Sequence, residues 1–150
     1  MRVVIQRVQH ASVEIDNQIK SAIGQGLMIL VGIEDADEKP DADWLAKKIA
    51  NLRIFDDETG VMNLSVIDTE REVLVVSQFT LHALTAKGNR PSYIRAARPE
   101  KAIPLYEYFC QAIERQIEKP IATGTFGADM KVSLTNDGPV TIIIDSQHKE

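Results

Sequence analysis

The sequence predicts an α+β protein: a largely antiparallel β-sheet or small barrel with two main helices packed on it, as a single domain over residues 1–150. Three observations lead there. Short runs of alternating apolar and polar residues fill the first third and are joined by turn residues. Two later stretches space their apolar residues as helices do. No linker, repeat or break in composition divides the 150 residues, a length that suits one core.

Alternation predicts strands over residues 2–7, 11–15, 19–23 and 27–33, with Asp16-Asn17-Gln18 and Gly24-Gln25-Gly26 as turns. "DEKPDADWLAKKIANLRIF" then opens with acids and Pro40, and sets Trp44, Leu45, Lys48, Ile49 and Leu52 at helical spacing. "DDETG" marks a turn. "EVLVVSQFTL" reads as a strand whose first half is apolar on both faces, as in a buried strand. A long polar loop, "HALTAKGNRPSYIRAARP", follows. Pro99 and Pro104 fit the approach and first turn of the second helix, where Leu105, Tyr106, Phe109, Ala112 and Ile113 form an apolar stripe. After the small-residue segment "IATGTFGADM", "MKVSLT" and "VTIIID" read as a hairpin turning at Asp137-Gly138. Pro139, at the entry of its second arm, brings no backbone donor; it reads as the first residue of an edge strand, with a cis bond after Gly138 as the other option.

Composition is ordinary for a globular protein, 44% hydrophobic with mixed charge. No apolar run nears the roughly 18 residues of a membrane span, and the first residues lack the apolar core of a signal peptide. A cytoplasmic protein without a membrane partner is expected. The single cysteine, Cys110, falls at helical spacing and reads as a buried structural thiol. One cysteine and the scattered His10, His82 and His148 give no metal-ligand spacing, so no metal is expected. The net charge of −5 argues weakly against nucleic acid, but its distribution does not. Residues 73–99 contain no Asp or Glu, and Lys87, Arg90, Arg95 and Arg98 all fall there. That pattern suits an anion-docking loop, with a solvated loop as the plain alternative.

Candidate chemistry lies at the end of the apolar strand. In a strand, Leu74, Val76, Gln78, Thr80 and His82 share one face. Ser77, Gln78 and Thr80 bring in polar groups that need partners, or each costs roughly 1–3 kcal/mol. They either bond neighbouring backbone or mark a site. The sequence has no Gly-x-Ser-x-Gly elbow and no His–Asp pair recognisable by spacing. Thr80 attacks an ester only if a base takes its proton. His82, two residues along a strand, would be ~7 Å away. A direct Thr80–His82 dyad is not expected.

Four ordered motifs, "SQFTL" at 77–81, "KGNRPS" at 87–92, "GTFGADM" at 124–130 and "NDGPVT" at 136–141, resemble the signature set of the D-aminoacyl-tRNA deacylases. "MRVVIQRVQHASVEID" and "LRIFDDETGVMNLSV" resemble that family too, so the likeness spans nearly the whole chain. One departure is His82-Ala83-Leu84, where the family commonly has Tyr-Ala-Asp.

The resemblance implies a homodimeric hydrolase with active sites across the subunit interface. It would cleave the ester between a D-amino acid and the terminal adenosine of tRNA, releasing both. Gly138-Pro139 is implied to be cis and to enter the partner's pocket, where rigid carbonyls would hold the α-amino group and exclude an L side chain. Such a filter would accept many D-amino acids and also glycine, including glycine mischarged on tRNA-Ala. Backbone N–H groups at Phe79 and Thr80 would form an oxyanion hole, with Ser77 and Gln78 positioning the adenosine or supporting that backbone. Phe126 and Met130 are expected to wall the pocket, with plain core packing as the alternative. Thr80 as covalent nucleophile and water activated by the ribose 2′-OH both stay open, the second preferred because no base adjoins Thr80. Lys87, Arg90, Arg95 and Arg98 would meet tRNA phosphates. No cofactor is expected. The competing readings are a Thr-dependent small-ester hydrolase and a non-enzymatic RNA-binding dimer, the latter weakened by an aromatic content of 5%.

Overall fold

A computed structural model describes residues 1–150. Its long first strand, β1 (Arg2–Ile15), organises the sheet by pairing with three others. The second half of β1 pairs antiparallel with β2 (Gln18–Ile23), and the first half with β3 (Gly26–Gly32). Helix α1 (Lys39–Asn51) follows, then a small ribbon of β4 (Phe55–Asp56) and β5 (Met62–Leu64). Strand β6 (Glu72–Ser77) lies parallel to β3, and β7 (Ala122–Thr123) parallel to β6. Between these two run a basic loop and helix α2 (Pro99–Ile117). Strand β8 (Lys131–Asp145) pairs antiparallel with β1 along almost its whole length. Ser21 of β2 donates to the Thr123 carbonyl of β7 at 2.8 Å, which draws the two ends of the strand order together into a nearly closed barrel.

Alternation along the strands divides the apolar residues between two cores. Val3, Ile5, Ile29, Val31, Val73 and Val75 face the helices, where α1 contributes Leu45 and Ile49 and α2 contributes Phe109 and Ile113. Val13, Met28, Leu74 and Val76 face the opposite way, into the curl of the sheet. Strand β6 is therefore buried on both faces, as its uninterrupted apolar run predicts. Gly26 makes the parallel pairing with β6 possible, because a Cβ there would sit 1.9 Å from the Glu72 carbonyl oxygen. No helix is long and apolar enough to cross a membrane.

Four local expectations change. Residues 2–7 and 11–15 belong to one strand, since β8 pairs with β1 on both sides of the polar middle and at Val8 within it, with register shifts on either side of Val8. Pro104 lies inside α2 rather than in its first turn. The strand predicted over "EVLVVSQFTL" stops at Ser77, and Phe79–His82 forms a 3-10 turn instead. Gln78 N–H makes a last ladder bond to Val31 O at 2.7 Å, after which Leu81 N–H bonds back to Gln78 O at 3.3 Å. Apolar Phe79 and Leu81 at alternate positions imitate a strand, while their backbone is helical. The final hairpin is likewise absent. "MKVSLT" and "VTIIID" are two parts of β8, and both pair with β1. Gln6 faces Thr141 and Val8 faces Asn136, so Arg7 alone stands opposite residues 137–140, which form an outward excursion.

Candidate active site

The end of β6 and the turn after it build the floor of a cleft of about 310 Å³. Ser77, Gln78 and Phe79 line it, with Phe126 and Met130 on the facing wall. Gly124 lies close behind that wall: a Cβ there would fall 2.6 Å from Met130 Sδ, and the flexible methionine end would have to shift. Tyr106 stacks obliquely on Phe126, with ring centroids 5.9 Å apart, and donates to Val75 O at 3.1 Å. Burial pushes the Tyr106 phenol far up, so it remains a neutral donor. Burial also pushes the Cys110 thiol up to about 12, which suits the structural role expected for it.

Thr80 is held by its neighbour: Gln78 Nε2 donates to Thr80 Oγ1. His82 does not bond Thr80, and its ring is fully buried. The Thr80 hydroxyl therefore has a donor beside it and no base. The N–H groups of Phe79 and Thr80 precede the first hydrogen bond of the turn, so the turn supplies them no acceptor. Such free donors beside a cleft can receive a developing oxyanion.

A second cavity of about 510 Å³ adjoins the first, sharing Phe79, Ala97 and Phe126 and adding Tyr93, Ile94 and Arg98. Phe79 meets Tyr93 edge-on at 5.0 Å, which binds the turn to the basic loop. Reciprocal bonds of 2.8 and 3.0 Å between Leu84 and Ser92 close that loop at its neck, leaving Lys87 and Arg90 exposed at the tip. Lys87, Arg90 and Arg98 have no acidic partner, whereas Arg95 is paired with Glu34.

Gly138 and Pro139 do not line this cleft; they lie exposed on the β8 excursion, with the bond between them cis. Arg7 and Asn136 support the excursion from beneath. Arg7 Nε donates to Asp137 O at 3.0 Å and Nη1 to Ile54 O at 2.8 Å. Asn136 Nδ2 donates to Arg7 O and Val140 O, both at 2.9 Å. Sequence reading did not single out Arg7, although a signal was present: after Val3 and Ile5 it is a charge at the next inward position of an alternating strand. Glu34 and Tyr93 were also missed and carry no comparable signal.

Glu34, Asp37 and His82 form a buried trio of metal-ligand types. A cation fits poorly, because Glu34 already holds Arg95 and Asp37 already holds the α-ammonium of Met1.

Residues 4–145 match the family model described as D-Tyr-tRNA(Tyr) deacylase. A Parabacteroides distasonis protein named D-aminoacyl-tRNA deacylase is 68% identical over 150 residues, covering all of both chains. One of the same name from Bacteroides thetaiotaomicron is 65% identical, again over all of both. A solved structure titled "c-Myc DNA Unwinding Element Binding Protein" superposes with a TM-score of 0.91 at 41% identity, covering 97% of this chain and 98% of that one. Fold and cleft, taken with these likenesses, define a hydrolase. The chain belongs to the D-Tyr-tRNA(Tyr) deacylase family.

Proposed function

We propose that this protein hydrolyses the ester of D-aminoacyl-tRNA and spares the L form. The observation that carries the reading is the turn after β6: it brings Phe79 into the cleft and gives the N–H groups of Phe79 and Thr80 no acceptor of its own, next to a threonine hydroxyl without a base. An aminoacyl ester needs such donors for the charge on its carbonyl oxygen. Water activated by the ribose 2′-OH then fits better than attack by Thr80, since Gln78 already donates to that hydroxyl. Ser77 and Gln78 position the adenosine, and Phe126 and Met130 shape the walls.

Chirality is read by a second copy of the chain. Gly138-Pro139 stands exposed and outside its own cleft, and in a homodimer it enters the partner's. Its carbonyls take the α-amino group and leave no room for an L side chain. Glycine has nothing to exclude, so glycyl-tRNA is also cleaved. Lys87, Arg90 and Arg98 meet acceptor-stem phosphates, and Arg95 joins them only by sharing or leaving Glu34.

Release of amino acid from matched D-Tyr-tRNA and L-Tyr-tRNA tests the reading. Cleavage of the D ester alone is expected; cleavage of neither, or of both equally, would overturn it. Tight tRNA binding without cleavage would favour the second reading, a nucleic-acid-binding dimer, which draws support from the exposed cations of the loop.

A further inference from the structure

His82 is the side chain that this function leaves unexplained. Its ring is 0% exposed, and neither ring nitrogen has a hydrogen-bond partner. Two unmet polar atoms in a packed interior call for a reason, since buried polar groups are almost always satisfied. The ring is nevertheless aimed: Nδ1 lies 3.5 Å from Glu34 Oε1, the same oxygen that receives Arg95 Nη2. His82 is the last residue of the turn that carries Phe79 and Thr80. It is wedged against the end of β3, where a Cβ on Gly32 would fall 3.0 Å from His82 Cδ2 and 3.0 Å from Gln78 O. The turn and the basic loop are thus joined twice, outside by Phe79 on Tyr93 and inside by His82 on Glu34 with Arg95.

We propose that His82 is a positioning residue for ester cleavage: its Nδ1–H donates to Glu34, and that contact sets the pitch of the turn and the aim of the Phe79 and Thr80 N–H groups. The proposal rests on the functional reading above. Closing the 3.5 Å gap by a few tenths of an ångström makes an ordinary hydrogen bond to a carboxylate. Because Glu34 Oε1 also holds Arg95, the loop that receives phosphate and the turn that receives the oxyanion lean on one atom. A misaimed donor affects the transition state and not ground-state docking, so the effect belongs in the maximal rate.

Single-turnover deacylation of D-Tyr-tRNA, titrated with protein, separates maximal rate from half-saturation. His82→Leu is expected to lower the maximal rate at least about tenfold with half-saturation within about twofold. His82→Asn places an amide nitrogen near the position of Nδ1 and is expected to recover most of the rate. An unchanged rate in His82→Leu, or equal losses in Leu and Asn, would overturn the proposal. Should His82→Leu fail to fold, Glu34→Gln serves in its place, with a lowered maximal rate expected and an unaltered one contrary. The ring ¹⁵N spectrum of the wild-type protein gives a readout free of activity: an Nδ1–H signal that shifts in Glu34→Gln is expected, and an Nε2–H tautomer with bare Nδ1 would overturn the contact. Absence of cleavage by the wild type would instead defeat the functional reading, and the spectrum would still decide the contact.

Discussion

Arg7→Met removes the guanidinium donors beneath the β8 excursion, leaving those of Asn136, while keeping an unbranched, apolar stem in place. Two carbonyls then lose their partner, Ile54 O at 2.8 Å and Asp137 O at 3.0 Å. An orphaned buried acceptor costs about 1–3 kcal/mol, and the half-buried Asp137 belongs at the lower end of that range. The contact of 3.3 Å to Asp56 adds little, because that side chain is 52% exposed. Methionine no longer has to be stripped of a charge's hydration, which offsets part of the loss. The net expectation is a destabilisation of about 2–3 kcal/mol, which for a chain of this size lowers the midpoint by about 4–12 °C. Urea unfolding at one protein concentration measures it, with Arg7→Lys as a control that keeps one donor nitrogen in place of the guanidinium fork and loses about half as much. A loss under about 0.5 kcal/mol, or equal losses in Met and Lys, would refute the assignment of Arg7 as the support of the excursion.

Thr80→Ala should retain D-specific cleavage within about tenfold of wild type, since a hydroxyl that only accepts from Gln78 is replaceable; a loss beyond about a thousandfold would restore Thr80 as nucleophile. Neutralising both Lys87 and Arg90 to glutamine should flatten the plot of log affinity for tRNA against log salt by about 1.4–1.8, two phosphate contacts' worth, and an unchanged slope would remove the loop tip from the interface. Asp145 gives an acid-side prediction. Burial raises its pKa, but the Gln147 N–H and Arg2 outweigh it, and the carboxyl is held below its ordinary value. Stability from this pair is therefore present above the unfolded value of about 3.9 and is lost as pH falls through the lower folded one. The urea midpoint should drop between pH 5 and pH 2.5, less steeply in Asp145→Asn; identical curves would count against the pairing.

Much of this molecule is legible in its residue order, for reasons that differ by element. The apolar spacing of Leu45 and Ile49, and of Phe109 and Ile113, specifies helices because one face of each must be buried. Turn chemistry at Asp16-Asn17 is equally direct, both residues having positive φ. Long-range pairing is what hides. Asp137-Gly138 has the local grammar of a hairpin, yet β1 offers both arms a longer ladder than they could give each other. "SQFTL" alternates like a strand, but the helical backbone after Gln78 depends on Val31, which is remote in sequence. Ser77, Gln78, Phe79, Phe126 and Met130, named from two separate motifs, line one cleft, while Thr80 is not among its lining residues. Motif order could not show that Arg95 is engaged by Glu34, because an acid at the end of an apolar strand carries no address for its partner.

The role of β1 as partner of β2, β3 and β8 has a consequence on the ribosome. The strand's first edge is covered soon after β2 and β3 emerge, but its other edge waits for β8, whose first residue follows the end of β1 by more than a hundred positions. At roughly 5–20 residues per second, that open edge persists for on the order of ten seconds during synthesis. A bare edge of alternating Val and Ile is a template for wrong pairing with a neighbouring nascent chain. Arg2, Gln6 and His10 interrupt the apolar residues along β1, and this polar spacing is the protection the strand carries until its own chain arrives to cover it.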